Sequence, residues 1–507
     1  MRQLFDCHVS DPIGRPTRSM RRVAGAVAAG ALVASVIAVL ASPSVTASPT
    51  TSLPREALSA QPREALSAQE GIGDPYFPQA GNPGYRVRHY DIDVRYTPAT
   101  RVLSGTTTVI LRSAERLSSF NLDLLLRASR VTVDGTPADF SQRRHELIVR
   151  PRTPVDAGDV ARVAVTYRGR PIGISYGGET PFEKTATGAI AVGEPPIAAW
   201  WFPSNDHPSD KATFTTSLTV PRGYEAISNG ALTGRRTTKD VTVWTWSVRS
   251  QLATYLAFAA FGQYDVERGR TAGGIPYLYA FEHGLGDAST AARRSVRSTP
   301  SILCWLEQVW GQYPYKNVGG VVPNVRLGYA LENQTRPVYG RDMFSYGPYR
   351  SLVVHELAHQ WFGDRVAVRS WRHIWLNEGY ATYSEWLWSR HNGGRTPQQQ
   401  LRVRYDNLEA SNPFWKLEIG DPGRERLFDS AVYDRGAMTL QALRNRIGTA
   451  AFFRVSRQWV RENADGLGST RELKLLAERV SGEQLDGLFK AWLLTGSKPA
   501  PTRANGL

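Results

Sequence analysis

The sequence predicts an α+β protein of several domains. A mostly β, sandwich-like N-terminal domain comes first, and a mixed, largely helical domain follows. Three observations predict this. The chain has 507 residues, room for two to four domains at roughly 150 residues each. Its apolar periodicity is two residues between about Tyr85 and Tyr264, and changes after about Arg268 to helical spacing. Hydrophobic residues make up 41% and charged residues 21%, a globular balance that can bury large cores. Disorder as the main state is excluded. A single long apolar run excludes a multi-span membrane protein, and two cysteines exclude a disulfide scaffold.

The chain opens with an export pattern over residues 1–47. Arg21 and Arg22 precede a continuous small and apolar run from Val23 to Ala41, and Val45-Thr46-Ala47 supplies a small-residue cleavage site. A secreted, cleaved product is expected, with membrane anchoring by an uncleaved signal as the alternative. Met20 directly before Arg21 suggests a true start there. Residues 48–73 read as a disordered linker in which Pro54 to Gln61 recurs as Pro62 to Gln69. Cys304 sits in an apolar helical stretch and reads as a lone buried thiol once Cys7 is removed.

Residues 74–268 form the expected β domain. Tyr90, Ile92, Val94 and Tyr96 alternate on one strand face. Gly105 to Leu111, Arg162 to Tyr167 and Val241 to Val248 alternate similarly, the last with Trp244 and Trp246 together. Residues 269–500 form the second domain, with 501–507 as a tail. A strand is expected near Pro276 to Ala280. Helices are expected at Ala291 to Trp310, Arg350 to Phe362, Glu378 to His391, Arg435 to Arg446 and Glu472 to Val480, with Gly311, Gly363 and Gly448 at helix ends.

The net charge is +15, and only eight of the 61 basic residues are lysine. The arginines are scattered and no nucleic-acid motif appears, so the reading is a solvated basic surface and no nucleic-acid partner.

The chemistry concentrates in Val354-His355-Glu356-Leu357-Ala358-His359. Two histidines four apart lie one turn apart on one helix face. They offer half of a tetrahedral zinc site. Glu356, beside the first, can take a proton from an attacking water without binding the metal. Nineteen residues beyond His359, Glu378 opens a second helical pattern and can give the oxygen donor, leaving a fourth position open. Glu385 returns to the same face two turns on, placed to hold a ligand histidine's second nitrogen or to stand as an ordinary surface acid.

These motifs, with Trp201-Phe202-Pro203-Ser204-Asn205-Asp206-His207-Pro208, Val432 to Met438, and Phe489 to Trp492 followed by Gly496 and Pro499, resemble the aminopeptidase N family of gluzincin metallopeptidases over about residues 74–500. The resemblance implies a thermolysin-like catalytic domain holding one zinc (Zn2+) per chain, and peptide substrates with a free N-terminus. It implies that Glu332, in Gly328-Tyr329-Ala330-Leu331-Glu332-Asn333, binds the substrate amine, with Ala330 and Asn333 beside it. Tyr329 and Leu331 depart from the family's G-x-M-E-N pattern, which bears on the shape of the first side-chain pocket. Glu194 falls where relatives carry a second amine-binding residue. Tyr433 would stabilise the oxyanion. About seventy residues follow Tyr433, so the helical C-terminal domain of larger relatives is expected to be absent, the cleft more open and longer peptides admitted. No stable membrane span is expected after signal cleavage, and the oligomeric state is not readable. The rivals are a zinc endopeptidase of the same fold, an epoxide hydrolase and a non-catalytic binding protein.

Overall fold

Strand Tyr85–Thr97 shows how the β domain is built. Tyr90, Ile92, Val94 and Tyr96 are each no more than 1% exposed, while Asp91, Asp93 and Arg95 point to solvent, as a period of two requires. This strand pairs antiparallel with Val102–Ser113 and parallel with Ala212–Pro221 inside an eight-stranded sheet. A four-stranded sheet faces its apolar side. Tyr96 stacks on Phe261 with ring centroids 4.9 Å apart, and Trp246 Nε1–H donates to the Ala226 carbonyl at 3.0 Å. A three-stranded sheet of Phe120–Asp123, Glu146–Arg150 and Asp139–Arg143 completes the domain. The computed structural model describes residues 71–507. The export segment, Met20 and the repeated octapeptide lie outside the described residues.

Strand Tyr264–Arg270 pairs with Pro276–Glu282 in a five-stranded sheet of the second domain. A division between residues 268 and 269 therefore cuts through a strand. Nine α-helices follow among the described residues: α1 (Ala288–Val296), α2 (Thr299–Trp310), α3 (Arg350–Ala358), α4 (Trp375–His391), α5 (Pro397–Asn407), α6 (Ser430–Ile447), α7 (Thr449–Glu462), α8 (Thr470–Ser481) and α9 (Asp486–Leu493). None is long and apolar enough to cross a membrane.

Three helical expectations are corrected. The stretch Ala291 to Trp310 is two helices, because Pro300 in the first turn of α2 has no N–H and its ring would collide with the carbonyl one turn back. The helix expected to reach Phe362 ends at Ala358. His359 caps it, and Gly363 at φ +130° turns the chain back. The helix carrying Glu378 starts three residues earlier, at Trp375, so Glu378 lies in its first turn. Cys304 lies half-buried on α2, and Cys7 lies outside the described residues.

The two domains are tied through the Trp201–Pro208 segment and its flanks. Buried Lys211 donates from Nζ to the Asp364 carbonyl at 2.7 Å and the Arg365 carbonyl at 3.1 Å. Asp74 accepts from Ser370 Oγ at 2.8 Å and from the Trp371 N–H at 3.0 Å, and lies 3.2 Å from His207 Nε2.

Candidate metal centre

Helix α3 presents His355 and His359 one turn apart, and α4 packs across it to bring Glu378 between them. Glu378 Oε2 lies 3.2 Å from His355 Nε2 and 3.5 Å from His359 Nε2. All three side chains are buried, and their donor atoms lie within 4.8 Å of one another. The outer ring nitrogens fix both tautomers. His355 Nδ1 lies 2.8 Å from Glu385 Oε1, and His359 Nδ1 lies 3.1 Å from the Phe362 carbonyl. With Nδ1–H donating outward, each Nε2 lone pair faces Glu378. Two imidazole nitrogens and one carboxylate oxygen, preset in this way, fit zinc and leave a coordination position open. Ser351 Oγ donates to the second oxygen of Glu385 at 2.6 Å, so Glu385 is held as well as holding.

Glu356 is 3% exposed. Burial pushes its carboxyl up to about 8, against the pull of His355 and His359. A carboxyl near neutrality can both accept and return a proton.

Short strand Ala330–Leu331 runs antiparallel to Val338–Tyr339 and delivers Glu332 to the same space. Carboxylate oxygens of Glu332 and Glu356 and a ring nitrogen of His359 lie within 4.8 Å of one another. Glu332 is 2% exposed, and burial pushes its carboxyl up. Asn333 does not point its amide nitrogen at this space: Nδ2 donates to the Leu256 carbonyl at 2.9 Å, fixing the loop. Ala330 is half-buried. Glu194 comes from the β domain. Its Oε1 is buried without a hydrogen-bond partner. Burial and then the Glu332 charge push its carboxyl well above the ordinary range, so the two acids face a common region. Tyr329 Oη donates to the Val192 carbonyl at 3.4 Å and joins the two amine-side loops. Tyr433, on the first turns of α6, lies with its ring 5.9 Å from that of His355. Burial and then Glu378 push its phenol well above the usual range, so it is a hydrogen-bond donor at any physiological pH.

Several groups here escaped the sequence reading. Tyr255 Oη donates to Glu332 Oε1 at 3.4 Å, and Gln360 Nε2 donates to the Glu332 carbonyl at 2.9 Å. Asp364 is fully buried with both oxygens unpartnered. Gln360 directly follows His359 and Asp364 lies five residues beyond it, and that proximity was the available signal. Tyr255 carries none.

The chain matches the model of the peptidase M1 N-terminal domain over residues 87–256 and that of the peptidase family M1 domain over residues 330–492. Among curated proteins, aminopeptidase M1 of Arabidopsis thaliana is 27% identical over 60% of this chain and 36% of its own length. Aminopeptidase M1-D of Oryza sativa subsp. japonica is 27% identical over 80% of this chain and 49% of its own. The chain thus spans half or less of the length of these relatives. Among solved structures, the M1 zinc metallopeptidase of Deinococcus radiodurans is 28% identical with a TM-score of 0.76, covering 85% of this chain and 100% of that one. A mutant of that protein bound to a Tyr-Ser-Ala substrate superposes with a TM-score of 0.75. The zinc-type donor set, the β domain before it and these matches together place the chain in the peptidase M1 family.

Proposed function

We propose that the protein is a zinc-dependent aminopeptidase that removes residues from the free N-termini of peptides. The observation that carries this reading is the pair of buried carboxylates, Glu332 and Glu194, beside the His355, His359 and Glu378 donors. Two buried acids with no basic side chain hydrogen-bonded to either, among the described residues, call for a cation, and a substrate's ammonium is one that also measures distance from the chain end. An endopeptidase has no use for such a trap. The tripeptide bound to the Deinococcus relative supports short peptides as substrates.

His355, His359 and Glu378 would hold the zinc, which when bound supplies a Lewis acid that acidifies water and polarises the scissile carbonyl. The chain's own groups do the rest. Glu332 and Glu194 orient the amine, Glu356 takes the proton of the attacking water and returns it to the leaving nitrogen, and the Tyr433 hydroxyl donates to the developing oxyanion. Glu385 keeps His355 in the ligating tautomer. We also infer export, supported by Arg21-Arg22, the apolar run Val23 to Ala41 and the small residues at 45–47. N-terminal sequencing of protein from the culture medium tests it, and a product still beginning at residue 1 or 20 rejects cleavage.

The main test pairs an unblocked peptide with its acetylated twin, each with and without a zinc chelator. Chelator-sensitive release of the first residue from the free peptide alone is the expected result. Equal cleavage of both would overturn the roles of Glu332 and Glu194 and make the protein an endopeptidase.

A further inference from the structure

A second cluster of metal-type donors lies in the β domain and shares no residue with the catalytic centre. In the antiparallel pair of Phe120–Asp123 with Glu146–Arg150, Asp123 stands directly opposite Glu146. Like charges facing each other across a ladder repel. Here both are buried, at 0% and 2% exposure, with His145 beside them at 4%. Their donor atoms lie within 4.8 Å of one another.

The hydrogen-bond accounting does not close. His145 Nε2 is surrounded by the Gln79 carbonyl at 3.0 Å, Glu146 Oε1 at 3.3 Å, Tyr176 Oη at 3.3 Å and Asp123 Oδ1 at 3.6 Å. One N–H cannot serve this many oxygens. Asp123 Oδ1 and Glu146 Oε1 have no hydrogen-bond partner beyond their ion-pair approach to His145 Nε2, and Glu146 Oε2 and His145 Nδ1 have none at all. Asp123 Oδ2 is satisfied by the Asp206 N–H at 2.8 Å, and Asp206 is a third buried acid in the same region. A cavity of about 210 Å3, lined by Ala80, Asp123, His145, Tyr176, Asp206 and Arg424 among others, opens beside the cluster. Orphaned buried carboxylate oxygens are costly unless a cation or a proton meets them.

We propose that Asp123, His145 and Glu146 form a second metal site, for a divalent cation of the zinc class. One imidazole and two carboxylates suit a first-row transition ion rather than calcium or magnesium, which take all-oxygen cages. The cation neutralises two facing carboxylates at once. It also braces the junction, since the Asp123 backbone exchanges hydrogen bonds with Ser204 at 2.8 and 3.0 Å, within the segment that leads to Lys211. The zinc content is then two per chain, not the one that the family resemblance implies.

The test counts metal on the full chain. Protein stripped by chelator is re-exposed to zinc alone, gel-filtered, and measured by elemental mass spectrometry. Wild type is expected to hold about two zinc ions. His359→Ala retains one, and the double variant His359→Ala with Glu146→Gln retains none. Glu146→Gln alone retains one and keeps its peptide hydrolysis. One zinc on wild type with none on His359→Ala would overturn the proposal, as would equal zinc on His359→Ala and the double variant. The His359→Ala count stands even where Glu146→Gln does not fold, and it reads metal whether or not the proposed peptidase activity is correct.

Discussion

A tight helix contact near the centre is made by two glycines, and filling it separates activity from stability. Gly379 follows Glu378 on α4, and Gly436 lies three residues after Tyr433 on α6. A Cβ placed on Gly436 would sit 2.9 Å from Gly379 Cα, and one on Gly379 would sit 3.0 Å from the Gly436 carbonyl carbon. Carbon atoms in ordinary contact are about 3.5–4.0 Å apart. Both obstacles are backbone, so Gly436→Ala must part the helices by roughly 0.6–1 Å. Overpacking of this kind typically costs about 1–3 kcal/mol. Alanine returns about 1 kcal/mol in helix propensity, so the net loss of stability is small, about 0–2 kcal/mol. Activity has no such compensation. The displaced helices carry Tyr433 and Glu378, and a misplacement of about 1 Å at reacting groups can lower the rate about 100-fold. The assay is kcat on an unblocked peptide, with zinc affinity and Tm measured on the same preparation. Gly487→Ala on α9, where an added Cβ meets nothing within 4 Å, is the control and should be neutral or stabilising by up to about 1 kcal/mol. Wild-type kcat and zinc affinity in Gly436→Ala would refute the claim that this contact sets the register of the two helices.

Three further outcomes are expected. Tyr433→Phe should lower kcat about 100- to 1,000-fold with KM and bound zinc little changed, checked by steady-state kinetics beside metal analysis; a parallel loss of zinc would mean that Tyr433 is structural. Glu385→Ala removes the acceptor 2.8 Å from His355 Nδ1 and should weaken zinc binding about 10- to 100-fold, read by competition with a chromogenic chelator. Asp74→Asn should lower stability by about 1.5–3 kcal/mol at neutral pH. Burial would raise the Asp74 carboxyl, but His207, the Tyr76 and Trp371 N–H groups and Ser370 outweigh it and hold it below its ordinary 3.8. A depressed carboxyl stabilises the fold above its unfolded value and loses that contribution as pH falls. The Tm gap between wild type and Asp74→Asn should therefore be full at about pH 5 and narrow below about 3.8; a gap that widens in acid would reject the assignment.

What was legible in the sequence follows from where geometry is local. Within a helix, spacing dictates direction, so His355, Glu356 and His359, and then Glu378 and Glu385 two turns apart, could be placed relative to one another before any fold was known. Apolar alternation likewise fixed the buried face of Tyr85–Thr97. The errors fell at punctuation. Pro300 was visible, but apolar periodicity ran on through it and joined two helices. Sites that depend on strand register left no such trace. Asp123 and Glu146 are 23 residues apart and meet because two strands pair in one register; a slip of a single residue would send one of them to the opposite face. Glu194, Tyr255 and Glu332 meet only once the β domain docks on the helices. Glu194 and Glu332 were reached through resemblance, and Tyr255 was not reached at all. A helical metal motif therefore advertises itself, while a metal cluster built across strands is found by counting hydrogen bonds that fail to close.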